Sequence, residues 1–214
     1  MKQLATATLL LGLTFAGGCQ TTAPQDSQLA LQEAPECCVD FTGLNYKVMT
    51  ADKPGTLRVD REDPAITFEN GKSFVEAVAL PPLALPYRLR IESFTSYPPG
   101  SRKPEVFYPL ITLLDADFQP LETLENLPFE YNAAVFGRNR IVMTVTFTGD
   151  LAAARYAVIH SSDAQSSMAL TKMHSGETIK TDPFESMVYA PVTPARYRIN
   201  FGPEGRIRLL AYSL

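Results

Sequence analysis

Hydrophobic and polar residues alternate along much of the chain with the period of two that is typical of β-strands. In the run YRLRIESF, Tyr87, Leu89 and Ile91 alternate with charged residues, which predicts a strand with one buried face and one solvated face. The run VFYPLITLL, residues 106–114, is apolar almost throughout, as expected of a strand that is covered on both faces. The linking segment SYPPGSRKPE contains three prolines and a glycine and is therefore predicted to be a loop.

Shorter runs of the same kind recur in the rest of the chain. They are TLRVD, AITFE, RIVMTVTFT, RYAVIH, MVYA, RYRINF and RIRLLAY, and glycine- or proline-containing turns separate several of them. About ten short strands at turn-like spacing, with no alternation of strands and long helices, predict an all-β fold. We expect an antiparallel two-layer β-sandwich, jelly-roll-like, with at most one or two short helices.

The pattern also predicts which residues are helical and which form the core. Ser161, Ser162 and Asp163 provide a helix N-cap before AQSSMALTKM, so residues 164–173 are the best helix candidate in the domain. The side chains expected to be buried are those of Leu89, Ile91, Leu110, Leu113, Val145 and Ile207.

Composition narrows the picture in two ways. The chain has 17 prolines in 214 residues, above the usual share of about 5%, and their position between apolar runs favours short strands and loops. The formal net charge is −4 and there is no run of lysine or arginine, which argues against nucleic acid as a partner. The length fits one folded domain, which we expect to span residues 37–214.

The first 18 residues have the features of a secretory signal. Lys2 precedes an apolar stretch over residues 4–15, and Ala16-Gly17-Gly18 stands directly before Cys19. The stretch is too short to span a bilayer as a helix. The cysteine after small residues makes residues 1–18 similar to a bacterial lipoprotein signal, in which that cysteine becomes the lipidated N-terminus. The alternative is an ordinary cleaved signal in which Cys19 has no role.

The lipoprotein interpretation implies a compartment. Gln20 follows the cysteine, and the bacterial sorting rule that this arrangement resembles sends such a protein to the outer membrane, facing the periplasm. Two or three acyl chains on Cys19, palmitate among them, anchor a protein stably, whereas a single chain binds only marginally. Residues 19–36 are rich in Gln, Thr, Ala and Pro and are expected to form a flexible tether.

Cys37 and Cys38 are the two thiols beyond Cys19. In an oxidising compartment they allow a vicinal disulfide, two reduced thiols, a bridge between two chains, or a redox or metal function. Adjacent cysteines without nearby histidines do not have the spacing of a zinc site. The sequence leaves these alternatives open, and no metal site is predicted.

No run of residues carries a catalytic motif. The two histidines are His160 and His174, and neither serine after His160 lies in a G-x-S-x-G turn. There is no phosphate-binding loop and no metal-ligand spacing, so we expect no catalytic residues, no cofactor and no enzymatic activity. Asp115 and Asp117 resemble the start of a calcium loop, but its later ligands are missing, and a hydrogen-bonded turn is the better interpretation.

Tyrosines are the strongest candidates for binding. Tyr97, Tyr108 and Tyr131 flank the proline-rich loop and the connection over residues 122–132, where ligand loops of a sandwich commonly lie. An exposed aromatic shelf beside polar side chains is one way to bind a sugar. The alternative is that these rings fill the core, because an aromatic side chain buries a large area.

Several of these segments together resemble the maltose-operon periplasmic protein family (MalM). The resemblance lies in the secretory start and in FTGLNYKVM, GKSFVEAVALP, LPYRLRIESF, FYPLITLLDADFQPL and RYAVIHSSDAQ, which span roughly Cys37 to Leu170. The signal makes this chain a lipoprotein-type member. The resemblance implies a periplasm-facing protein associated with maltose and maltodextrin uptake, and it assigns no site residues. The expected function is thus a non-enzymatic lipoprotein with a role in carbohydrate binding or uptake. The alternative is an envelope structural or assembly factor that binds a protein partner without a small ligand.

Overall fold

A computed structural model describes residues 25–97, 104–132, 138–162, 169–173 and 196–214. Within these ranges the chain forms one α-helix, α1 (Gln25–Glu33), and two short 3₁₀ turns at Phe41–Gly43 and Gly149–Leu151. The described strands, in chain order, are β1 (Tyr46–Val48), β2 (Gly55–Val59), β3 (Ala65–Phe68), β4 (Gly71–Phe74), β5 (Glu76–Ala79), β6 (Tyr87–Phe94), β7 (Glu105–Val106), β8 (Leu110–Leu114), β9 (Pro120–Leu124), β10 (Phe129–Asn132), β11 (Arg140–Phe147), β12 (Tyr156–His160), β13 (Ala169–Met173), β14 (Arg196–Phe201) and β15 (Gly205–Ser213).

Two five-stranded sheets make up the body of the molecule. The first sheet has the strand order β1-β5-β12-β8-β9, and the second has the order β10-β11-β6-β15-β2. Within these two sheets, the described pairs are antiparallel except for β1 and β5. The chain crosses between the sheets from β5 to β6, from β9 to β10 and from β11 to β12, as in jelly-roll-type sandwiches. The predicted all-β sandwich is confirmed.

The inner faces of the two sheets share one hydrophobic core. In β6, Tyr87, Leu89 and Ile91 point inward and are at most 4% exposed, whereas the alternate residues point outward. The predicted core residues are all buried, namely Leu89, Ile91, Leu110, Leu113, Val145 and Ile207. The period-two pattern therefore identified the buried face of β6, β11 and β15.

Strand β8 is buried along its whole length because both of its faces are covered. Leu113 lies in the main core, while Leu114 lies in a second, smaller cluster with Leu44, Val75, Ala77 and Val158 on the outer side of the first sheet. The segment around Phe41 and the β3–β4 hairpin cover that side. The outer face of the second sheet has no such cover among the described residues, and its side chains are the more polar set.

The predicted helix over residues 164–173 is wrong in its second half. Ala169–Met173 form strand β13, which pairs antiparallel with β14, and Leu170 lies opposite Ile199. Residues 163–168 lie outside the described residues. The N-cap signal at Ser161 and Ser162 is a local preference, and a strand partner distant in sequence outweighs it.

The expected flexible tether is also partly wrong. Residues 25–33 form α1, and Leu31 is only 2% exposed because it packs in the main core. Lys72 Nζ donates to the carbonyl oxygens of Gln32 and Ala34, and the backbone N–H of Cys37 donates to Ala65 O at 2.9 Å. Leu31 and the partly buried Ala34 dock the segment on the core, and the Lys72 side chain and the Ala65 carbonyl supply hydrogen-bond partners for its backbone. Residues 1–24, with the predicted signal and Cys19, lie outside the described residues.

Candidate functional site

The three tyrosines expected to form an aromatic shelf do not lie on one surface. Tyr108 and Tyr131 are only 6% and 7% exposed and belong to the main core, whereas Tyr97 is 64% exposed. The Tyr108 hydroxyl donates to Leu127 O at 3.0 Å, and its ring packs edge-on against Phe129. The alternative, in which aromatic rings fill the core, describes Tyr108 and Tyr131. A shelf built from these three rings is therefore wrong.

A different group of rings lies at the surface of the first sheet. Tyr46 of β1, Tyr156 of β12 and Phe118 of the β8–β9 turn form what we call the aromatic cluster. The Phe118 and Tyr156 rings are stacked with centroids 4.5 Å apart, and Tyr46 lies 4.7 Å from Tyr156 and 5.2 Å from Phe118. All three residues are half-buried, so part of each remains accessible.

The turn that carries Phe118 is held by the side chain of Asp115. Asp115 Oδ1 accepts hydrogen bonds from the backbone N–H groups of Asp117 (2.9 Å) and Gln119 (2.8 Å). Phe118 has a φ of +60°, which is uncommon for a residue with a Cβ and directs the chain through a tight turn. Asp115 thus holds a hydrogen-bonded turn, and the turn places the Phe118 ring against Tyr156.

Polar groups surround the aromatic cluster. The Tyr46 hydroxyl donates to Phe41 O at 2.8 Å. Burial, together with the nearby Tyr156 and Asp40, raises the pKa of Tyr46 to about 12, so its hydroxyl stays protonated. Asp117 and Gln119 occupy the same turn as Phe118. Apolar ring faces beside carboxylates and an amide can contact the C–H face of a sugar and its hydroxyl groups at once.

A second feature lies in the middle of the outer face of the second sheet. The carboxylate of Glu92 on β6 is only 7% exposed and is surrounded by three arginines, Arg90, Arg140 and Arg208, which we call the Glu92 cluster. Oε1 accepts from Arg90 Nε and Nη2 at 3.0 Å, and Oε2 accepts from Arg208 Nε at 2.7 Å. Three guanidinium groups against one carboxylate leave an excess of positive charge at this point.

His160 has a structural role and is fully buried. Its Nδ1–H donates to Ser161 O at 3.1 Å, since a carbonyl can only accept, and its Nε2 then accepts from the Thr112 hydroxyl at 3.0 Å. The ring stacks on Phe68 with centroids 3.7 Å apart. Burial lowers the pKa of His160 to about 4. With both ring nitrogens hydrogen-bonded, the histidine is not placed to serve a serine nucleophile. His174 lies outside the described residues.

The neutral state of His160 makes stability depend on pH. The unfolded chain protonates this histidine below about pH 6.5, whereas the folded chain does so only near pH 4. The contribution of His160 to the free energy of unfolding is therefore full above pH 6.5. It falls by about 3 kcal/mol as the pH is lowered to 4. We expect the difference in free energy of unfolding between the wild type and His160→Gln to decrease by that amount between pH 7 and pH 4. Urea unfolding at each pH measures this difference. A difference that does not change with pH would show that His160 titrates normally.

Cys37 and Cys38 are joined to each other in a vicinal disulfide, one of the alternatives that the sequence left open. The pair directly follows the backbone contact between Glu36 and Ala65. It precedes the 3₁₀ turn at Phe41–Gly43, which Asp40 caps by accepting from Thr42 N. The disulfide thus lies in the segment that covers the first sheet, away from the Glu92 cluster.

The fold is an all-β sandwich with the aromatic cluster at the surface of its first sheet and the Glu92 cluster on the outer face of its second. Comparison with family models finds a match over residues 70–197 to the maltose operon periplasmic protein precursor family (MalM). This match covers more than half of the chain, which therefore belongs to that family. It includes Phe118 and Tyr156 of the aromatic cluster and Glu92 of the Glu92 cluster.

The remaining comparisons add no relative. No curated protein and no solved structure matches the chain. Membership of the family makes this a protein of the periplasmic, maltose-operon type. In the described part of the chain, no helix combines the length and the apolar composition needed to cross a bilayer.

Proposed function

We propose that the chain is a non-enzymatic accessory protein of maltodextrin uptake, held at the outer membrane by lipid on Cys19 and facing the periplasm. The family match supports the maltose context, and the sequence Ala16-Gly17-Gly18-Cys19 supports the anchor. The buried, neutral state of His160 supports a binding role over hydrolysis, because the histidine beside the serine pair is committed to the fold.

The aromatic cluster is the observation that carries the sugar-binding part of the proposal. A maltodextrin presents apolar C–H faces and hydroxyl groups, so its binding site needs an accessible ring with hydrogen-bonding groups at the ring edge. The Phe118 side chain forms no hydrogen bond, and the Asp115 turn places its half-buried ring at the surface. The Asp117 carboxylate and the Gln119 side-chain oxygen can accept from the hydroxyl groups, while the Gln119 amide nitrogen donates to Asp117 O at 3.2 Å. Tyr156 stacks against the Phe118 ring.

The docked helix α1 shortens the tether of the proposed lipoprotein. With α1 beginning at Gln25, only residues 20–24 separate Cys19 from a helix that is fixed to the domain. Five residues span at most about 18 Å when fully extended. The sandwich would therefore remain close to the membrane surface, which fits an accessory protein acting beside an outer-membrane channel.

Removing the Phe118 ring should abolish most of the sugar affinity. We expect maltotriose to maltoheptaose to bind the wild type with a dissociation constant on the order of micromolar to millimolar, because a shallow surface leaves much of the ligand in water. Phe118→Ala should weaken this binding by roughly tenfold, which corresponds to about 1.4 kcal/mol. Isothermal titration calorimetry measures both constants.

Tyr97→Ala is the matched control, since Tyr97 is an exposed aromatic residue outside the aromatic cluster. Its affinity for maltodextrin should equal that of the wild type. If Tyr97→Ala loses affinity and Phe118→Ala keeps it, the site is at the proline-rich loop and the aromatic cluster is only structural. If no heat is measured with millimolar maltodextrin, the sugar-binding proposal is wrong.

A protein partner is the second candidate function. The observation in its favour is the excess of arginine on the outer face of the second sheet, which does not depend on sugar binding.

A further inference from the structure

Arginine side chains line the outer face of the second sheet. Outward-pointing positions of neighbouring strands lie directly opposite one another, so Arg140 is level with Phe94, Phe94 with Arg206, and Arg206 with Arg58. The next row places Val142 beside Glu92 and Glu92 beside Arg208. We call this surface the arginine face; its arginines are Arg58, Arg88, Arg90, Arg140, Arg206 and Arg208.

The charge of the arginine face is opposite to that of the whole chain. Six guanidinium groups stand against two carboxylates, Glu92 and Glu130, on the outward positions of these five strands. The chain as a whole has a formal net charge of −4. Asp60 pairs with Arg58 at one margin, with Nε and Oδ2 2.9 Å apart. The positive charge is therefore concentrated on one surface of an acidic protein.

The buried carboxylate of Glu92 holds the central arginines in place. Arg90 and Arg208 each use Nε and one Nη nitrogen on Glu92, which leaves further N–H groups of each guanidinium for another acceptor. Their side chains remain 38% and 41% exposed, and Arg208 also lies over the Phe94 ring, 5.4 Å from its centroid. These two cations are thus ordered before any partner arrives, which lowers the entropy lost on binding.

We propose that the arginine face docks a carboxylate-rich surface of another protein. The strands that form it contain no lysine, and arginine is the cation that pairs with carboxylates in a bidentate way at interfaces. Apolar and aromatic residues stand between the arginines, namely Phe94, Val142, Leu210 and Tyr212. Enrichment in arginine and aromatic residues with depletion of lysine is characteristic of protein interfaces.

The size of the arginine face agrees with a protein partner. Five strands at about 4.8 Å spacing and an eight-residue central strand at about 3.3 Å per residue give roughly 20 by 26 Å. Because side chains protrude from the sheet, the accessible area exceeds the product of these two lengths. It approaches the roughly 800 Å² that each partner of a standard interface buries. Docking at the arginine face is independent of sugar binding, because the aromatic cluster lies on the first sheet.

The test measures binding of the purified mature chain, in non-ionic detergent at low salt, to poly-L-glutamate of about 50 residues. The face variant combines Arg88→Gln and Arg206→Gln, two exposed arginines outside the Glu92 cluster. The matched control combines Val39→Glu and Leu121→Glu, two exposed residues that are not part of the second sheet. Both variants change the net charge by the same amount. Vesicles of phosphatidylglycerol and phosphatidylethanolamine form a parallel arm.

We expect the wild type and the control to bind poly-L-glutamate equally, and the face variant to bind about tenfold more weakly, because charge pairs across an interface contribute to recognition. Equal weakening in both variants would show that the effect is one of net charge and would overturn the proposal.

Tighter binding to the vesicles, lost in the face variant, would assign the arginine face to a membrane. A dimer in sedimentation that dissociates only in the face variant would assign it to a second copy. Absence of any binding to poly-L-glutamate would also overturn it. None of these results depends on maltodextrin.

Discussion

The Cys19→Ser variant is expected to leave the membrane fraction almost completely. Burial of an acyl chain contributes about 0.8 kcal/mol per CH₂ group, so two or three chains hold a protein stably where one chain does not. Serine cannot carry the thioether-linked lipid, and the variant should be recovered as a soluble or unprocessed chain. Separation of membrane and soluble fractions, followed by mass spectrometry of the N-terminus, measures both effects.

The control for this experiment is the double variant Cys37→Ser, Cys38→Ser. It removes two thiols that are bonded to each other in the domain and leaves Cys19 intact, so it should remain in the membrane fraction. A Cys19→Ser protein that stays membrane-bound and is processed like the wild type would rule out the lipid anchor and leave the ordinary cleaved signal as the explanation.

Leu113→Ala should destabilise the domain by about 2–5 kcal/mol, the cost of the lost transfer free energy and of the cavity left behind. Leu113 is fully buried on β8 and packs in the main core. This strand is covered on both faces, so little rearrangement can fill the space. Since single domains are stable by only about 5–15 kcal/mol, the variant should unfold at a clearly lower urea concentration than the wild type. Circular dichroism measures the unfolding.

Leu121→Ala on the neighbouring strand β9 is the matched control. Leu121 is 43% exposed, and its truncation should change the free energy of unfolding by no more than about 0.5 kcal/mol. A Leu113→Ala protein as stable as Leu121→Ala would mean that the Leu113 side chain is not buried in the main core.

The sheet cores could be predicted because burial leaves a direct mark on each strand. Strand β6 shows it as alternation, and β8 shows it as a continuous apolar run. Each pattern depends on which faces of the strand are covered. Neither pattern requires knowledge of which strands are its neighbours in the sheet. This is why the all-β class and the six core residues followed from one sequence.

Elements whose structure depends on distant partners could not be predicted in the same way. Strand β13 is specified by pairing with β14, and the local cap signal at Ser161 suggested a helix instead. Helix α1 is docked by Leu31 and by the Lys72 contacts, a small apolar contribution within a polar segment. In both cases a tertiary contact outweighed the local pattern.

The two candidate surfaces differ in how far the sequence reveals them. Arginines at alternate positions of β6 and β15 are visible in the sequence, but their meeting at Glu92 depends on the register that places Arg208 opposite Glu92. For the aromatic cluster, the signal was the Asp115 turn, which presents Phe118. The sequence predicts Tyr108 and Tyr131 as binding residues because they lie near loops, but both rings are buried in the core. Proximity to a loop in sequence does not determine exposure.

A ¹⁵N–¹H NMR titration of the mature chain with maltotriose shows directly whether the aromatic cluster binds maltodextrin. If the aromatic cluster binds maltodextrin, the backbone amide signals that shift should belong to the Asp115–Gln119 turn, Tyr46 and Tyr156, and the shifts should saturate at micromolar to millimolar ligand. Amides of the second sheet should remain unchanged. Spectra that stay constant at millimolar maltotriose, or shifts confined to other surfaces, would show that the aromatic cluster is not a maltodextrin site.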